Sequence, residues 1–211
     1  MKLKKKKVGK IFTKSSPQEI KEFTKIFNRY SKMFGITKEV HLNFFLAQLR
    51  EEVGTSLKPR RENMNYSCKA LTSIFRYYKN HPKEAFRDGR CKNHKAKRVQ
   101  IANKVYANRI GNIELGDGNR YRGGGYLQLT GRSNYEMAAD VINSLLGTTY
   151  TSENIESDIN TIKGSLLTAF AFWYKNKIYN CIHIDCVTKK INRYTTSYVK
   201  RKKHYQYIAS L

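Results

Sequence analysis

Glu52 ends a stretch whose apolar residues repeat with helical spacing. These residues predict the buried face of a helix, and they are Leu42, Phe45, Leu46 and Leu49. Glu52 continues this face, whereas Glu51 is rotated about 100° away, toward the solvent side. In the last helical turn, partial desolvation and the negative end of the helix dipole favour a protonated carboxylate, which a general acid needs at neutral pH. Spacing alone, however, favours the alternative that Glu52 points into water at a frayed helix end.

A second group of polar side chains occupies residues 62–67, with the sequence Glu-Asn-Met-Asn-Tyr-Ser. Amides bind sugar hydroxyl and acetamido groups, Tyr66 can stack on a pyranose ring, and Glu62 is a candidate for the second carboxylate of glycosidic hydrolysis. On this segment alone the preferred alternative is a polar loop in which Ser67 caps the next helix. Three other carboxylates remain candidates for the second acid, namely Glu84, Glu114 and Asp117.

Residues 116–135 are rich in glycine, with three consecutive glycines at positions 123–125. Such a run lets the backbone approach a ligand closely, and polar side chains follow it. A phosphate-binding loop is excluded because no Gly-Lys-Ser/Thr ending follows and no GxGxxG precedes a helix. The segment therefore predicts a polar ligand surface built on close backbone contact.

The elements that must position these residues are mainly helical. Apolar spacing and terminal signals predict helices over 18–34, 37–54, 68–80, 95–109, 134–146, 159–175, 185–191 and from about 198. Strand-like patterns are confined to 119–129 and 179–184. The sequence therefore predicts a mainly α fold with one small β or extended segment.

The chain has 211 residues and a formal net charge of +25. This charge predicts attraction to polyanions that weakens as salt rises. Residues 1–17 carry six lysines among the first ten and predict a flexible basic arm, or alternatively a tether, ahead of a single domain at 18–211. The cysteines show no zinc-site spacing, so we expect no metal or cofactor and mostly buried thiols with room for one bridge; they are Cys68, Cys91, Cys181 and Cys186.

Several motifs that occur together and in order resemble glycoside hydrolase family 19, the chitinase-like family that also includes phage endolysins. They are residues 45–48, Glu52, 62–67, 101–109 and 116–135. The resemblance extends from about residue 37 to the end, where residues 170–173, 187–188, 191–192 and 201 resemble the closing segments. It implies a lysozyme-like helical fold of two lobes with a cleft between them.

The resemblance also implies an inverting mechanism. Glu52 matches the acid that protonates the leaving oxygen, and Glu62 matches the residue that helps water attack from the opposite face. The two carboxyl groups of such a pair should lie about 6.5–9.5 Å apart. Thr130 falls on the hydroxyl position that holds this water. Further residues match polar groups that bind substrate in the cleft, and these are Tyr66, Tyr121, Gln128, Asn134, Asn192 and Arg201.

The sequence departs from the family pattern at three places. Glu51 stands where the family usually has His, Gly124 replaces the second Arg of a Tyr-Arg-Gly-Arg-Gly run, and Arg193-Tyr194 replaces two glycines. A non-catalytic wall-binding relative is therefore an alternative to an active enzyme.

The charge favours peptidoglycan, which carries carboxylates and accompanies other anionic wall polymers, over neutral chitin. We expect a monomeric endolysin without a transmembrane segment. Residues 1–10 lack the apolar run of a signal peptide, so it would be made in the cytoplasm and reach the wall after lysis or through a holin. Chitin oligomers are the alternative substrate. Lysine and arginine clusters also suggest a nucleic-acid-binding protein, but no recognised nucleic-acid module is present.

Overall fold

The computed structural model describes residues 2–211. Within this range the chain is mainly helical, which confirms the predicted class. The helices are α1 (Lys5–Ile11), α2 (Pro17–Tyr30), α3 (Glu39–Val53), α4 (Cys68–Ile74), α5 (Arg76–Asn80), α6 (Pro82–Asp88), α7 (Arg98–Tyr106), α8 (Asp117–Arg120), α9 (Arg132–Leu146), α10 (Ser152–Asp158), α11 (Ile162–Lys175), α12 (Ile184–Ile191) and α13 (Tyr198–Ala209). Short 3-10 helices cover Ser31–Phe34 and Ile178–Asn180, the latter where an extended segment was predicted.

Local signals in the sequence start several helices. Ser16 and Glu19 form a reciprocal capping box at the start of α2, where Pro17 occupies the first turn. Ser67 caps α4 by accepting a hydrogen bond from the backbone N–H of Ala70, so its predicted role as a cap is confirmed. These caps satisfy N–H groups that have no partner inside the helix.

Two hydrophobic clusters divide the fold. The larger one is built around α3, in which every residue from 41 to 49 is buried, and it includes side chains of α1, α2, α9 and α11. The smaller one joins side chains of α4 to α7, among them Leu71 and Ile101. The chain passes from the larger cluster at Leu57 to the smaller at Met64. The crossing segment therefore lies between two lobes.

The predicted β or extended segment is small. Gly124 pairs in antiparallel fashion with both Arg61 and Leu129, as isolated bridges. These pairs join the crossing segment to the glycine-rich segment. They hold Glu62 against the backbone of residue 123, to whose carbonyl the Glu62 N–H donates at 2.8 Å.

Residues 2–12 do not form the predicted flexible arm. They contain α1, and four of their apolar side chains are buried in the larger core, namely Leu3, Val8, Ile11 and Phe12. The Leu3 N–H donates to Asn28 Oδ1 at 2.8 Å, and Asn28 Nδ2 donates back to the Leu3 carbonyl at 2.9 Å. Burial of Val8, Ile11 and Phe12 stabilises the docked helix, and this effect outweighs the repulsion among the surrounding lysines.

A disulfide joins Cys181 and Cys186 at the start of α12, and Cys68 and Cys91 are free. Among residues 2–211, the helices are all too short or too polar to span a bilayer.

Candidate active site

Glu52 lies in the last turn of α3 with 22% of its side chain exposed. Arg201 of α13 donates from Nη2 to Glu52 Oε1 at 2.6 Å. Glu52 is therefore partly buried, unlike the frayed helix end that spacing alone favoured, and it is held in an ion pair that the sequence did not predict.

Arg201 belongs to a buried polar network. Its Nη1 donates to Gln48 Oε1 at 2.5 Å, and Gln48 Nε2 donates to the hydroxyl of Thr188 at 2.8 Å. Arg201 Nε donates to Ser197 Oγ at 2.9 Å. Because Arg201 is only 2% exposed and all three nitrogens have partners, it positions Glu52. The predicted contact between Arg201 and substrate stays a prediction.

Glu51 does not point to solvent as its rotation on the helix predicts. Only 13% of its side chain is exposed, and it contacts Lys200 Nζ at 3.1 Å and His204 Nε2 at 3.2 Å on α13. Burial lowers the pKa of His204, although the hydrogen bond to Glu51 acts in the opposite direction. Helix α13 thus engages both glutamates because it packs directly along α3, which leaves Glu51 facing a neighbour instead of water.

Glu62 lies on the crossing segment between the lobes. The hydroxyl of Tyr106, at the end of α7, donates to Glu62 Oε2 at 2.7 Å. Arg122 Nε donates to the Glu62 carbonyl at 3.2 Å. Burial raises the pKa of Tyr106 and of Tyr66, and the nearby Glu62 carboxylate raises both further. Glu62 and Tyr66, predicted as neighbours in the cleft, are thus brought together.

A cavity of about 710 Å³ opens beside Glu62. Four arginines line it, together with Asn63 and Asn119; they are Arg60, Arg61, Arg98 and Arg122. Arg61 pairs with Glu156, yet its buried Nε has no hydrogen-bond partner within residues 2–211. Burial and then the charge of Arg61 lower the pKa of Arg122. The cavity therefore has a concentrated positive charge next to one carboxylate.

Gly124, where the family pattern has arginine, has no room for a side chain. A Cβ there would lie 2.9 Å from the Tyr135 hydroxyl and 3.0 Å from Ile159 Cγ1. Its bridge partner Arg61 belongs to the neighbouring segment, and the Arg61 guanidinium pairs with Glu156. The departure at this position is thus accommodated by close backbone packing.

Three predicted residues form one local cluster after the glycines. Thr130 Oγ1 donates to the Gln128 carbonyl at 2.9 Å, and Asn134 Nδ2 donates to the Thr130 carbonyl at 2.7 Å. Gln128 Nε2 donates to the carbonyls of Arg60 and Gly125. Gln128 is exposed and Thr130 partly exposed, so both remain accessible to a ligand.

Tyr121 and Asn192 differ in accessibility. Tyr121 is fully buried, and its hydroxyl contacts Ser152 and Glu153. The predicted contact between this side chain and substrate stays a prediction. Its ring packs edge-on against that of Tyr135, with the ring centroids 5.1 Å apart. Asn192, just after α12, is exposed and available to a ligand.

Two of the alternative carboxylates are held in structural ion pairs. Glu84 contacts Lys104 Nζ at 2.6 Å, and Asp117 contacts Arg132 Nη2 at 2.7 Å. Glu114 is exposed on the loop before α8. Glu62 as the second carboxylate stays a prediction. The sequence did not predict that Tyr106 contacts Glu62, or that Gln48 binds the arginine that holds Glu52. Both residues lie inside the motifs that resemble the family.

No family model matches the chain. Among curated proteins, the chain is similar to a protein of Haemophilus influenzae described as a glycosyl hydrolase family 19 domain-containing protein. The two are 31% identical over 183 residues, which cover 86% of this chain and 84% of the relative.

Proposed function

Because the chain belongs to glycoside hydrolase family 19, we propose that it hydrolyses β-1,4 glycosidic bonds in an N-acetylated cell-wall polysaccharide. We propose peptidoglycan as that polysaccharide. The observation that carries this proposal is the arginine-lined cavity beside Glu62. Chitin is neutral, whereas the stem peptides of peptidoglycan carry carboxylates, anions that guanidinium groups bind well.

In the proposed reaction Glu52 protonates the leaving glycosidic oxygen. Arg201 occupies Oε1, which leaves Oε2 as the oxygen that carries the proton. Glu62 accepts a proton from the attacking water, and the hydroxyl of Tyr106 on its Oε2 fixes the direction of that carboxylate. Thr130 helps to hold the water. This division of roles gives inversion at the anomeric carbon, since no covalent intermediate forms.

The Arg61–Arg122 pair supports an anionic substrate. Two guanidinium groups held close together in a partly buried place repel each other, and burial lowers the pKa of Arg122. A carboxylate entering the cavity would relieve this repulsion. Arg60 and Arg98 are exposed at its edge and can meet further carboxylates of a peptide stem.

As an endolysin, the protein would act as a monomer on the wall after lysis or holin-dependent release. Its charge of +25 would favour adsorption to the anionic wall.

The test is turnover of purified murein and of chitin oligomers by the wild type, Glu52→Gln and Glu136→Gln. Glu136 is exposed on α9 and provides a matched loss of one carboxylate. We expect murein cleavage by the wild type and Glu136→Gln, and loss of nearly all turnover in Glu52→Gln with its wall binding retained.

Other outcomes separate the alternatives. Cleavage of chitin oligomers without murein cleavage would replace peptidoglycan by chitin. Wall binding without any turnover in the wild type would indicate a non-catalytic relative. Equal turnover by wild type and Glu52→Gln would show that Glu52 is not the acid.

A further inference from the structure

A second cavity lies beside α1 and shares no lining residue with the cavity at Glu62. Its volume is about 430 Å³. Five lysines line it, and they are Lys2, Lys4, Lys6, Lys7 and Lys10. We call it the lysine pocket. Its apolar lining comes from Leu3, Leu42 and Leu211.

The backbone that presents these lysines is fixed. Leu3 is anchored by its two hydrogen bonds with Asn28, and α1 is docked through buried Val8 and Ile11. The hydroxyl of Tyr207 on α13 donates to the Lys10 carbonyl at 3.3 Å. The ammonium groups therefore do not have to be gathered from a disordered arm when a ligand arrives, which reduces the entropic cost of binding.

The charge of the lysine pocket is not balanced from within. Glu39 supplies the one carboxylate side chain among the lining residues, against the five lysines. Lys7 is partly buried, with its Nζ donating to Asn43 Oδ1 at 3.0 Å. Burial lowers the pKa of Lys7, and Glu39 offsets only part of this effect. A bound anion would stabilise the charged form of Lys7.

We propose that the lysine pocket binds an anion that carries two or more neighbouring phosphate groups. Ammonium groups are compact charges on flexible stems and bind phosphate as point charges. They do not need the planar, bidentate geometry with which a guanidinium group binds a carboxylate. One phosphate cannot engage five lysines spread around a cavity of this size, but a short chain or a pair of phosphates can.

The shape of the pocket disfavours duplex nucleic acid. A double helix offers a convex row of phosphates, whereas these lysines surround a concavity. A diphosphorylated lipid headgroup and a free polyphosphate both have compact phosphate groups that fit inside. In either case the pocket would hold the protein at a phosphate-rich partner independently of the cleft at Glu62.

The test compares two triple variants of equal net charge. The pocket variant carries Lys4→Gln, Lys6→Gln and Lys10→Gln, all at exposed positions. The control variant carries three exposed lysines outside the pocket lining changed to glutamine, namely Lys5→Gln, Lys21→Gln and Lys25→Gln. Binding of tripolyphosphate and of orthophosphate is measured by titration calorimetry, and thermal unfolding verifies that both variants fold.

We expect the pocket variant to lose about tenfold or more in affinity for tripolyphosphate and the control about twofold or less. Orthophosphate should bind much more weakly than tripolyphosphate. An equal loss in both variants would overturn the proposal, because it would reflect overall charge alone. Equal affinities for the two phosphates would overturn it as well.

Co-sedimentation with phosphatidylcholine vesicles, with or without a diphosphorylated lipid, then identifies the source. Binding that depends on both that lipid and the pocket lysines indicates a membrane headgroup. Tripolyphosphate binding without vesicle binding indicates a soluble polyphosphate. A duplex DNA affinity that falls more than the tripolyphosphate affinity in the pocket variant would overturn the proposal in favour of nucleic acid.

Discussion

Replacement of Arg201 by methionine tests how Glu52 is held. The substitution removes the donors to Glu52, Gln48 and Ser197 but keeps a side chain that fills the buried space. Removal of one partner from a buried ion pair costs about 3–5 kcal/mol. Because Glu52 retains 22% exposure and water can reach it, we expect the low end, a loss of about 3 kcal/mol in the free energy of unfolding.

Lys200→Met is the matched control, because it removes the neighbouring cation of α13 from Glu51. Lys200 is 65% exposed, so its pair should contribute at most about 1 kcal/mol. Urea unfolding measures the free energy of unfolding of both variants. In thermal unfolding, Tm should fall by about 6–12 °C for Arg201→Met, at about 2–4 °C per kcal/mol. Turnover should fall in Arg201→Met chiefly through kcat, because the acid loses its orientation, with partial recovery in Arg201→Lys.

The reasoning would be refuted if Arg201→Met lowered the free energy of unfolding no more than Lys200→Met does. An unchanged kcat in a folded Arg201→Met protein would separately refute the positioning role.

Three further changes probe other parts of the fold. Tyr106→Phe should lower kcat about tenfold by releasing Glu62, while the free energy of unfolding falls by only about 0.5–1.5 kcal/mol. Steady-state kinetics measures kcat and urea unfolding measures the stability; no change in either quantity would contradict the prediction. The folded-state pKa of His204 lies below the ordinary 6.5, so the unfolded chain binds more protons and stability falls as pH drops from 6.5 toward the folded-state pKa. Urea unfolding at pH 8 and pH 5.5 should show a smaller loss in His204→Gln, and an identical loss would contradict this. Gly124→Ala should reduce stability by about 1–3 kcal/mol through contact with Ile159, measurable by thermal unfolding; unchanged Tm would mean that the neighbours move freely.

Patterns that act locally were predictable from the sequence. The apolar spacing of residues 18–34 predicts one helix, and the structure has α2 followed by a short 3-10 helix that ends before Gly35. Glu52 is predicted as the acid because its helical face and the motifs around it agree, and that role stays a prediction. Short helices such as α6 and α10 were missed because their few turns show too little periodicity to distinguish them from loops.

Contacts between distant segments were not predictable. Arg201 resembles a cleft residue in sequence, and only packing of α13 on α3 buries it beside Gln48 and Glu52. The same packing turns Glu51 away from water. Tyr121 lies within the glycine-rich motif, but its burial depends on α9 and α10, which come later in the chain. Likewise, residues 2–12 look like an arm until the rest of the core provides a surface for their few apolar side chains.

The ion pair between Arg201 and Glu52 forms late in the synthesis of the chain. Arg201 follows Glu52 by 149 positions, so the pair can close only after the segment between them has been synthesised. Helix α3 can begin to form early from local contacts, but contacts between distant segments form slowly because a long loop must first close. A growing chain therefore contains the proposed acid long before α13 can orient it.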